Sequence, residues 1–168
     1  LQIPKVEEYV SSIRFYFTAA ATMPVEVVRR WKERFGKTLF EGYGLTETSP
    51  FACYNHDYFY REGSIGTPIE NVEMKIVDEN GRDVLPEEVG EIVVRGPGVT
   101  QGYWKDPTKT AESFTADGWF KTGDFGKVDR LGRLHFADRK KDVIKCGGYS
   151  LFSKEIEDKL AAHPAVAE

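Results

Sequence analysis

The chain has 168 residues, a formal net charge of −4 at pH 7 and 13% aromatic residues. This length is enough for one substantial domain, or for one domain and part of another. The charge gives no basic stripe, which argues against nucleic acid as a partner. Neither an apolar run long enough to cross a membrane nor a signal peptide is visible in the sequence, so we expect a cytoplasmic protein.

The cysteines and the two ends of the chain lead to further predictions about disulfides, zinc and the length of the parent protein. Cys53 and Cys146 are far apart and belong to no Cys-x-x-Cys pair, so neither a disulfide framework nor a zinc site is predicted. The chain begins at Leu1 without a methionine and stops as an apolar run begins. We therefore expect it to be a piece of a longer protein.

The first predicted elements form a strand–helix–strand unit. Residues 13–18 are apolar at nearly every position, which is typical of a strand buried on both faces of a parallel sheet. A helix follows, with Thr22 as its N-cap, Pro24 in its first turn and Gly36 at its end. A strand at residues 37–40 comes next, and the two strands are expected to be parallel with a right-handed crossover.

Residues 41–48, with the sequence EGYGLTET, follow the second strand directly. Ligands of such sheets gather at the carboxyl ends of the strands, so this stretch and the small residues 19–21 are expected to lie side by side. Glycine permits close backbone approach, a tyrosine ring offers a flat face, and a carboxylate suits Mg²⁺. The alternative is a glycine-rich turn leading into a helix that Thr46 or Thr48 caps.

From Ser64 onward the pattern changes to β structure. Apolar residues alternate with charged ones at 72–76, and Asp78 to Gly81 supplies a hairpin turn. A strand at 91–95, a short helix after Asp106 and a hairpin at 127–136 follow. Many short strands with turn signals predict a small antiparallel barrel or sandwich. We expect Trp104 and Trp119 to belong to its core.

A run of charges at residues 138–142 is interpreted as a boundary. Beyond it, a hairpin is predicted around Gly147 and Gly148, and then a helix that Ser153 caps and Pro164 stops. The fold class is therefore expected to be α/β to α+β, in three parts. These are a partial βαβ layer at 1–63, a β-barrel-like subdomain at 64–137, and the start of a mobile α+β domain at 138–168.

Four stretches together resemble the adenylate-forming enzyme superfamily, which includes acyl-CoA synthetases, aryl-CoA ligases and firefly-type luciferases. They are GYGLTET at 42–48, GEIVVRGPGVTQGYW at 90–104, DGWFKTGD at 117–124, and the hinge and hairpin at 132–157. The second and third are more similar to acyl-CoA synthetases than to the adenylation domains of peptide synthetases. The resemblance implies activation of a carboxylic acid, expected to be a fatty acid, by MgATP. It also implies transfer of the acyl group to coenzyme A.

The resemblance also implies roles for residues of the nucleotide motif. Tyr43 would stack on adenine, while Ala20 and Ala21 would leave room for adenine and the substrate carboxylate. Thr46 would bond a phosphate oxygen and Glu47 would hold Mg²⁺, so both are expected to be catalytic. The remaining nucleotide-binding residues expected in this motif are Glu41, Gly42 and Gly44.

Further roles fall on the downstream motifs. Asp124 would accept hydrogen bonds from both ribose hydroxyls, Arg139 would reach ribose or phosphate, and Asp138 or its charged neighbours would form the hinge. The remaining expected residues are Lys141 near the phosphates, catalytic Lys145 near the incoming CoA, and Gly147 and Gly148 along the pantetheine arm.

Two family features are not found in the sequence, namely the Ser/Thr/Gly-rich phosphate loop and the C-terminal adenylation lysine. We therefore expect the chain alone to be inactive. The alternatives are a structural or nucleotide-binding module, which could form a homodimer through exposed sheet edges, or a parent that is an acyl-AMP ligase or aryl-CoA ligase.

Overall fold

The computed structural model describes residues 6–21, 23–161, 163 and 165–166. It is a mixed α/β structure that contains a four-stranded sheet with one parallel pair, a four-stranded antiparallel sheet and a two-stranded hairpin. Its described helices are α1 (Val6–Val10), α2 (Val25–Phe35), α3 (Pro107–Ser113) and α4 (Ser153–Ala161). Helix α2 ends at Gly36, whose φ of 62° is left-handed, as predicted.

The first sheet contains β1 (Tyr16–Thr18), β2 (Leu39–Tyr43), β3 (Cys53–Tyr54) and β4 (Thr67–Pro68), in that order. Strands β1 and β2 are parallel and α2 connects them, which confirms the predicted unit. Strand β2 extends three residues beyond its predicted end. It does so because Gly42 and Tyr43 pair with β3.

The prediction for β1 was wrong in length and in burial. The strand begins at Tyr16, and only that residue of the strand is buried, in a cluster with Val28 of α2 and Leu39 of β2. Phe15 is 50% exposed and Phe17 is 38% exposed. Helix α2 thus covers one face of the strand, while the aromatic residues of the other face are open to solvent.

The second sheet contains β5 (Glu73–Val77), β6 (Gly90–Arg95), β7 (Phe120–Val128) and β8 (Leu134–Arg139) as an antiparallel meander. It is an open sheet, so the predicted barrel-like closure was wrong. Its apolar face packs on the first sheet instead, in one core that joins Tyr43 and Cys53 to Ile92 and Leu134. Trp119 is buried as predicted, but Trp104 is 88% exposed.

The charged run at residues 138–142 begins inside a strand, because β8 includes its first two residues. The hairpin of β9 (Ile144–Cys146) and β10 (Tyr149–Leu151) forms as predicted, and positive φ at both Gly147 and Gly148 fits a type I′ turn. The Ser153 amide that begins α4 donates to the carboxylate of Asp138, which acts as the helix cap. The predicted roles of Thr22 and Pro164 lie outside the described residues, and the domain boundaries stay predictions.

Candidate functional site

A cavity of about 90 Å³ lies where the carboxyl end of β2 meets the second sheet. Leu45, Ile65 and Phe136 supply part of its apolar lining. The cavity also brings together eight of the residues predicted to bind a nucleotide, namely Ala20, Ala21, Glu41, Gly42, Tyr43, Gly44, Asp124 and Arg139.

A more open groove of about 600 Å³ adjoins this cavity and shares Leu45, Asp124 and Arg139 with it. Lys140 and Lys141 also line the groove, so its wall is cationic. Binding sites for small ligands typically enclose about 300–1,000 Å³. The cavity alone is smaller than that, but the cavity and groove together provide the space and the positive charge that a nucleotide requires.

Tyr43 and Asp124 are joined inside the cavity by a buried hydrogen bond. The Tyr43 hydroxyl donates to Oδ2 of Asp124 at 2.7 Å, across 81 residues of sequence. Both side chains are nearly inaccessible, with 9% and 7% exposure. The Tyr43 ring also belongs to the core and lies 6.3 Å from the ring of Phe136. The fold therefore fixes the orientation of both groups before any ligand arrives.

Asp124 and Arg139 face each other as cross-strand partners on β7 and β8. Burial raises the pKa of the Asp124 carboxyl, while the Tyr43 hydrogen bond and the positive charge of Arg139 oppose that rise. A carboxylate beside a guanidinium offers acceptors and donors on one wall. Such a pair can bind the hydroxyls of a sugar and an adjacent anionic group.

Glu91 of β6 supports the strand ends that carry this pair. One of its carboxylate oxygens accepts from the Gly123 amide at 3.2 Å, and the other pairs with the Lys140 ammonium at 3.1 Å. Gly123 directly precedes Asp124, and Lys140 directly follows Arg139. The Lys140 amide donates to the Gly123 carbonyl. Glu91 thus connects three strands at the base of the site.

Glu41 is a second buried carboxylate in the cavity wall, with 6% exposure. Its Oε1 accepts a hydrogen bond from the Met23 amide at 3.2 Å. Burial raises the pKa of this carboxyl, against the opposing effects of that hydrogen bond and of Lys154. An acidic group that is costly to ionise therefore lies beside the backbone of the nucleotide motif.

The backbone of the cavity wall gives a packing reason for its glycines. A Cβ on Gly42 would lie 2.3 Å from the Phe17 ring, and one on Gly44 would lie 1.8 Å from the Pro50 carbonyl oxygen. Close approach of a ligand to these glycines stays a prediction. Ala20 has a φ of 75°, which for a residue with a side chain costs on the order of 1 kcal/mol.

Thr46 and Glu47 lie in a 3₁₀ turn (Thr46–Thr48) just outside the cavity. The Thr48 hydroxyl accepts from the Leu45 amide, so this threonine closes the turn. The half-buried Glu47 carboxylate accepts from the Tyr103 hydroxyl at 2.8 Å. One oriented carboxylate fits Mg²⁺, which commonly takes its other ligands from phosphates and water. Among the described residues, no group of three or more acidic, histidine or cysteine side chains could hold a metal by itself.

The remaining predicted residues do not join the cavity. Lys145, Gly147 and Gly148 are exposed in the β9–β10 hairpin, where the Lys145 ammonium donates to the Ser150 hydroxyl at 2.6 Å. Lys141 lines the groove beside Asp124 and Arg139. The predicted set therefore divides into a group in or next to the cavity, which includes the buried Glu41, Tyr43 and Asp124, and an exposed group on the hairpin.

Sequence reasoning assigned no role to Glu91 or Tyr103, although both lie in the motif at residues 90–104. Each contacts a predicted residue or its neighbour through a bond that spans more than 30 residues of sequence. The available signal for a role of Glu91 and Tyr103 was their polar side chains in a stretch with few other polar residues. Their partners could not be inferred from spacing along the chain.

The chain is similar to known AMP-binding enzymes and CoA ligases. A family model described as AMP-binding enzyme matches residues 2–104. A long-chain-fatty-acid–CoA ligase of Salmonella typhimurium is 44% identical over 91% of this chain and 28% of that enzyme. A 4-coumarate–CoA ligase of Pinus taeda is 36% identical over 98% of this chain and 32% of that enzyme.

A crystal structure of ATP-bound MatB from Rhodopseudomonas palustris superposes with a TM-score of 0.94 at 34% identity, over 99% of this chain and 33% of that one. The chain thus spans about a third or less of the length of the relatives it matches. Within the described residues, no helix is long and apolar enough to span a membrane. Since the family model matches more than half of its residues, the chain belongs to the AMP-binding enzyme family.

Proposed function

We propose that this chain is part of an ATP-dependent acyl-CoA synthetase that converts a carboxylic acid, ATP and coenzyme A into an acyl-CoA, AMP and pyrophosphate. The observation that carries the proposal is the cavity that unites the nucleotide motif of β2 with Asp124 and Arg139. Relatives of the chain include a ligase named for a long-chain fatty acid and a protein crystallised with ATP.

Different residues of the site would bind different parts of MgATP and the acid. Asp124 and Arg139 would hold the ribose, and the small side chains of Ala20 and Ala21 would leave space for the base and the substrate carboxylate. Thr46 would bond the phosphate under attack. Mg²⁺ on Glu47, when bound, would neutralise the charge that develops on the phosphates.

The acyl acceptor and the acid are the finer parts of the proposal. Lys145, Gly147 and Gly148 would meet coenzyme A on the hairpin, after the C-terminal part has turned about the segment near Asp138. A long-chain fatty acid is the favoured substrate because the relative named for that activity has the higher identity of the two ligases. A hydroxycinnamate-type aryl acid is the second candidate, favoured by the similarity to the 4-coumarate ligase.

The test is ATP–pyrophosphate exchange by the full-length protein that contains this chain, with fatty, aryl and short dicarboxylic acids. Exchange stimulated by one class, followed by thioester formation when CoA is added, is the expected result. Exchange without thioester formation would identify an acyl-AMP ligase instead. The 168-residue chain alone is expected to show no exchange, and a rate near that of the full-length protein would contradict this expectation.

A further inference from the structure

The proposed roles of the site residues leave the hydrogen bond between Tyr43 and Asp124 unexplained. The resemblance implied a role for Tyr43 only through its ring, yet its hydroxyl is the group that contacts the predicted ribose ligand. This bond spans 81 residues, lies in the cavity, and joins two side chains that are more than nine-tenths buried. A tyrosine that served only to stack or to fill space would not need the hydroxyl.

We propose that the Tyr43 hydroxyl is a positioning group that gives the site its preference for a nucleotide with intact ribose hydroxyls. This inference rests on the proposed function, since it takes Asp124 as the ribose ligand. The bond occupies one lone pair of Oδ2 and fixes the plane of the carboxylate. Oδ1 and the remaining lone pair of Oδ2 are then directed toward the sugar.

The charge around the carboxylate explains why a donor is needed there. Burial opposes ionisation of Asp124, and the nearby Glu91 carboxylate opposes it further. Tyr43 and Arg139 are the groups that favour the ionised form. Only the ionised form is acceptor-only and can take a hydrogen bond from each of two hydroxyls. Tyr43 therefore both orients the carboxylate and favours the state that binds a diol.

The experiment measures binding of AMP, 2′-deoxy-AMP, 3′-deoxy-AMP and 2′,3′-dideoxy-AMP to the full-length protein by calorimetry. Tyr43→Phe keeps the ring and removes only the hydroxyl. We expect it to weaken AMP binding roughly 10-fold, the scale of a lost hydrogen bond to a charged group, and to leave the dideoxy analogue unchanged. The acid limb of AMP binding should also move to higher pH, because the Asp124 carboxylate loses a stabilising donor.

The matched control is Tyr16→Phe, which removes a buried hydroxyl that donates to the Val10 carbonyl away from the cavity. This variant should retain the preference of the wild type for AMP over the dideoxy analogue. If Tyr43→Phe lowers the folded fraction, the ratio of the two affinities within that variant still reports discrimination, because the loss of folded protein cancels.

Three results distinguish failure of the inference from failure of the proposed function. A wild-type protein that binds AMP and its dideoxy analogue equally would overturn the ribose role of Asp124, and the inference with it. Discrimination that is present in the wild type and unchanged in Tyr43→Phe would overturn the role of the hydroxyl alone. An equal loss of affinity for all four ligands would reduce Tyr43 to packing and also overturn the inference.

Discussion

The buried site and the exposed hairpin hold their polar groups in two different ways. The Asp124, Glu47 and Glu91 carboxylates each bond a partner far away in sequence, at separations of 81, 56 and 49 residues. Lys145 of the hairpin bonds Ser150, five residues away. The first arrangement exists only when the fold is complete, whereas the second needs only a hairpin. A ligand that requires fixed geometry should therefore depend on the carboxylates more than on the hairpin.

The largest expected effect is on Glu47. Glu47→Gln in the full-length protein keeps an acceptor for the Tyr103 hydroxyl but removes the charge that would hold Mg²⁺. We expect adenylation to lose on the order of 2–4 kcal/mol of transition-state stabilisation. The measurement is the pyrophosphate exchange rate at limiting Mg²⁺. An unchanged rate would argue against the metal role, and Tyr103→Phe, which retains the carboxylate, should show a smaller loss.

A smaller effect is expected from the support that Glu91 gives to the ribose site. Glu91→Ala frees the Gly123 amide beside Asp124, and nucleotide affinity should fall by about 1–2 kcal/mol. Glu91→Gln keeps an acceptor for that amide and loses only the ion pair with Lys140, whose side chain is 60% exposed. Exposed ion pairs contribute little, so the nucleotide affinity of Glu91→Gln, measured by calorimetry, should be close to that of the wild type. Equal losses in both variants would assign the effect to the ion pair instead.

The contrast between local contacts and contacts distant in sequence also explains which features could be predicted from the sequence. The βαβ unit, the β7–β8 hairpin and the glycine turn of β9–β10 depend on local patterns, and the structure contains all three. Residues of the nucleotide motif also line one cavity with Asp124 and Arg139. Only the family resemblance linked these residues, and their roles stay predictions.

What could not be predicted depended on contacts that are distant in sequence. The extension of β2 requires β3, whose short sequence has no strand period. The open second sheet follows from packing on the first sheet, which a pattern of alternating strands does not specify. The bond that Tyr43 makes and the roles of Glu91 and Tyr103 belong to the same class of long-range contact.

Removing the charge of Glu41 is expected to stabilise the chain, whereas the substitutions of Glu47 and Glu91 are expected to weaken activity or affinity. The folded pKa of this carboxyl is raised above its unfolded value, mainly by burial, so the ionised form at pH 7 destabilises the fold. Glu41→Gln keeps the acceptor for the Met23 amide and removes the charge. We expect the melting temperature of the 168-residue chain to rise by about 2–4 °C at pH 7, or ~1 kcal/mol.

The pH dependence supplies the control for this prediction. The stability linked to protonation of Glu41 is fully present below the unfolded pKa of a glutamate, about 4.3, and is lost as pH rises through the raised folded pKa. The advantage of the glutamine variant should therefore shrink as pH falls and vanish in acid. A constant difference between the two proteins across the whole pH range would show that charge is not the cause.

The smallest expected effect is on the hairpin. Lys145 is exposed, and its ammonium donates a hydrogen bond to Ser150 of the same hairpin. Lys145→Ala should therefore change the free energy of unfolding by less than about 0.5 kcal/mol. AMP affinity should also stay at the wild-type value, because the residue lies outside the cavity and the groove. Thioester formation by the full-length protein is where a loss is expected. A drop in AMP affinity without a loss of thioester formation would place Lys145 with the group in or next to the cavity and end the contrast between the two regions.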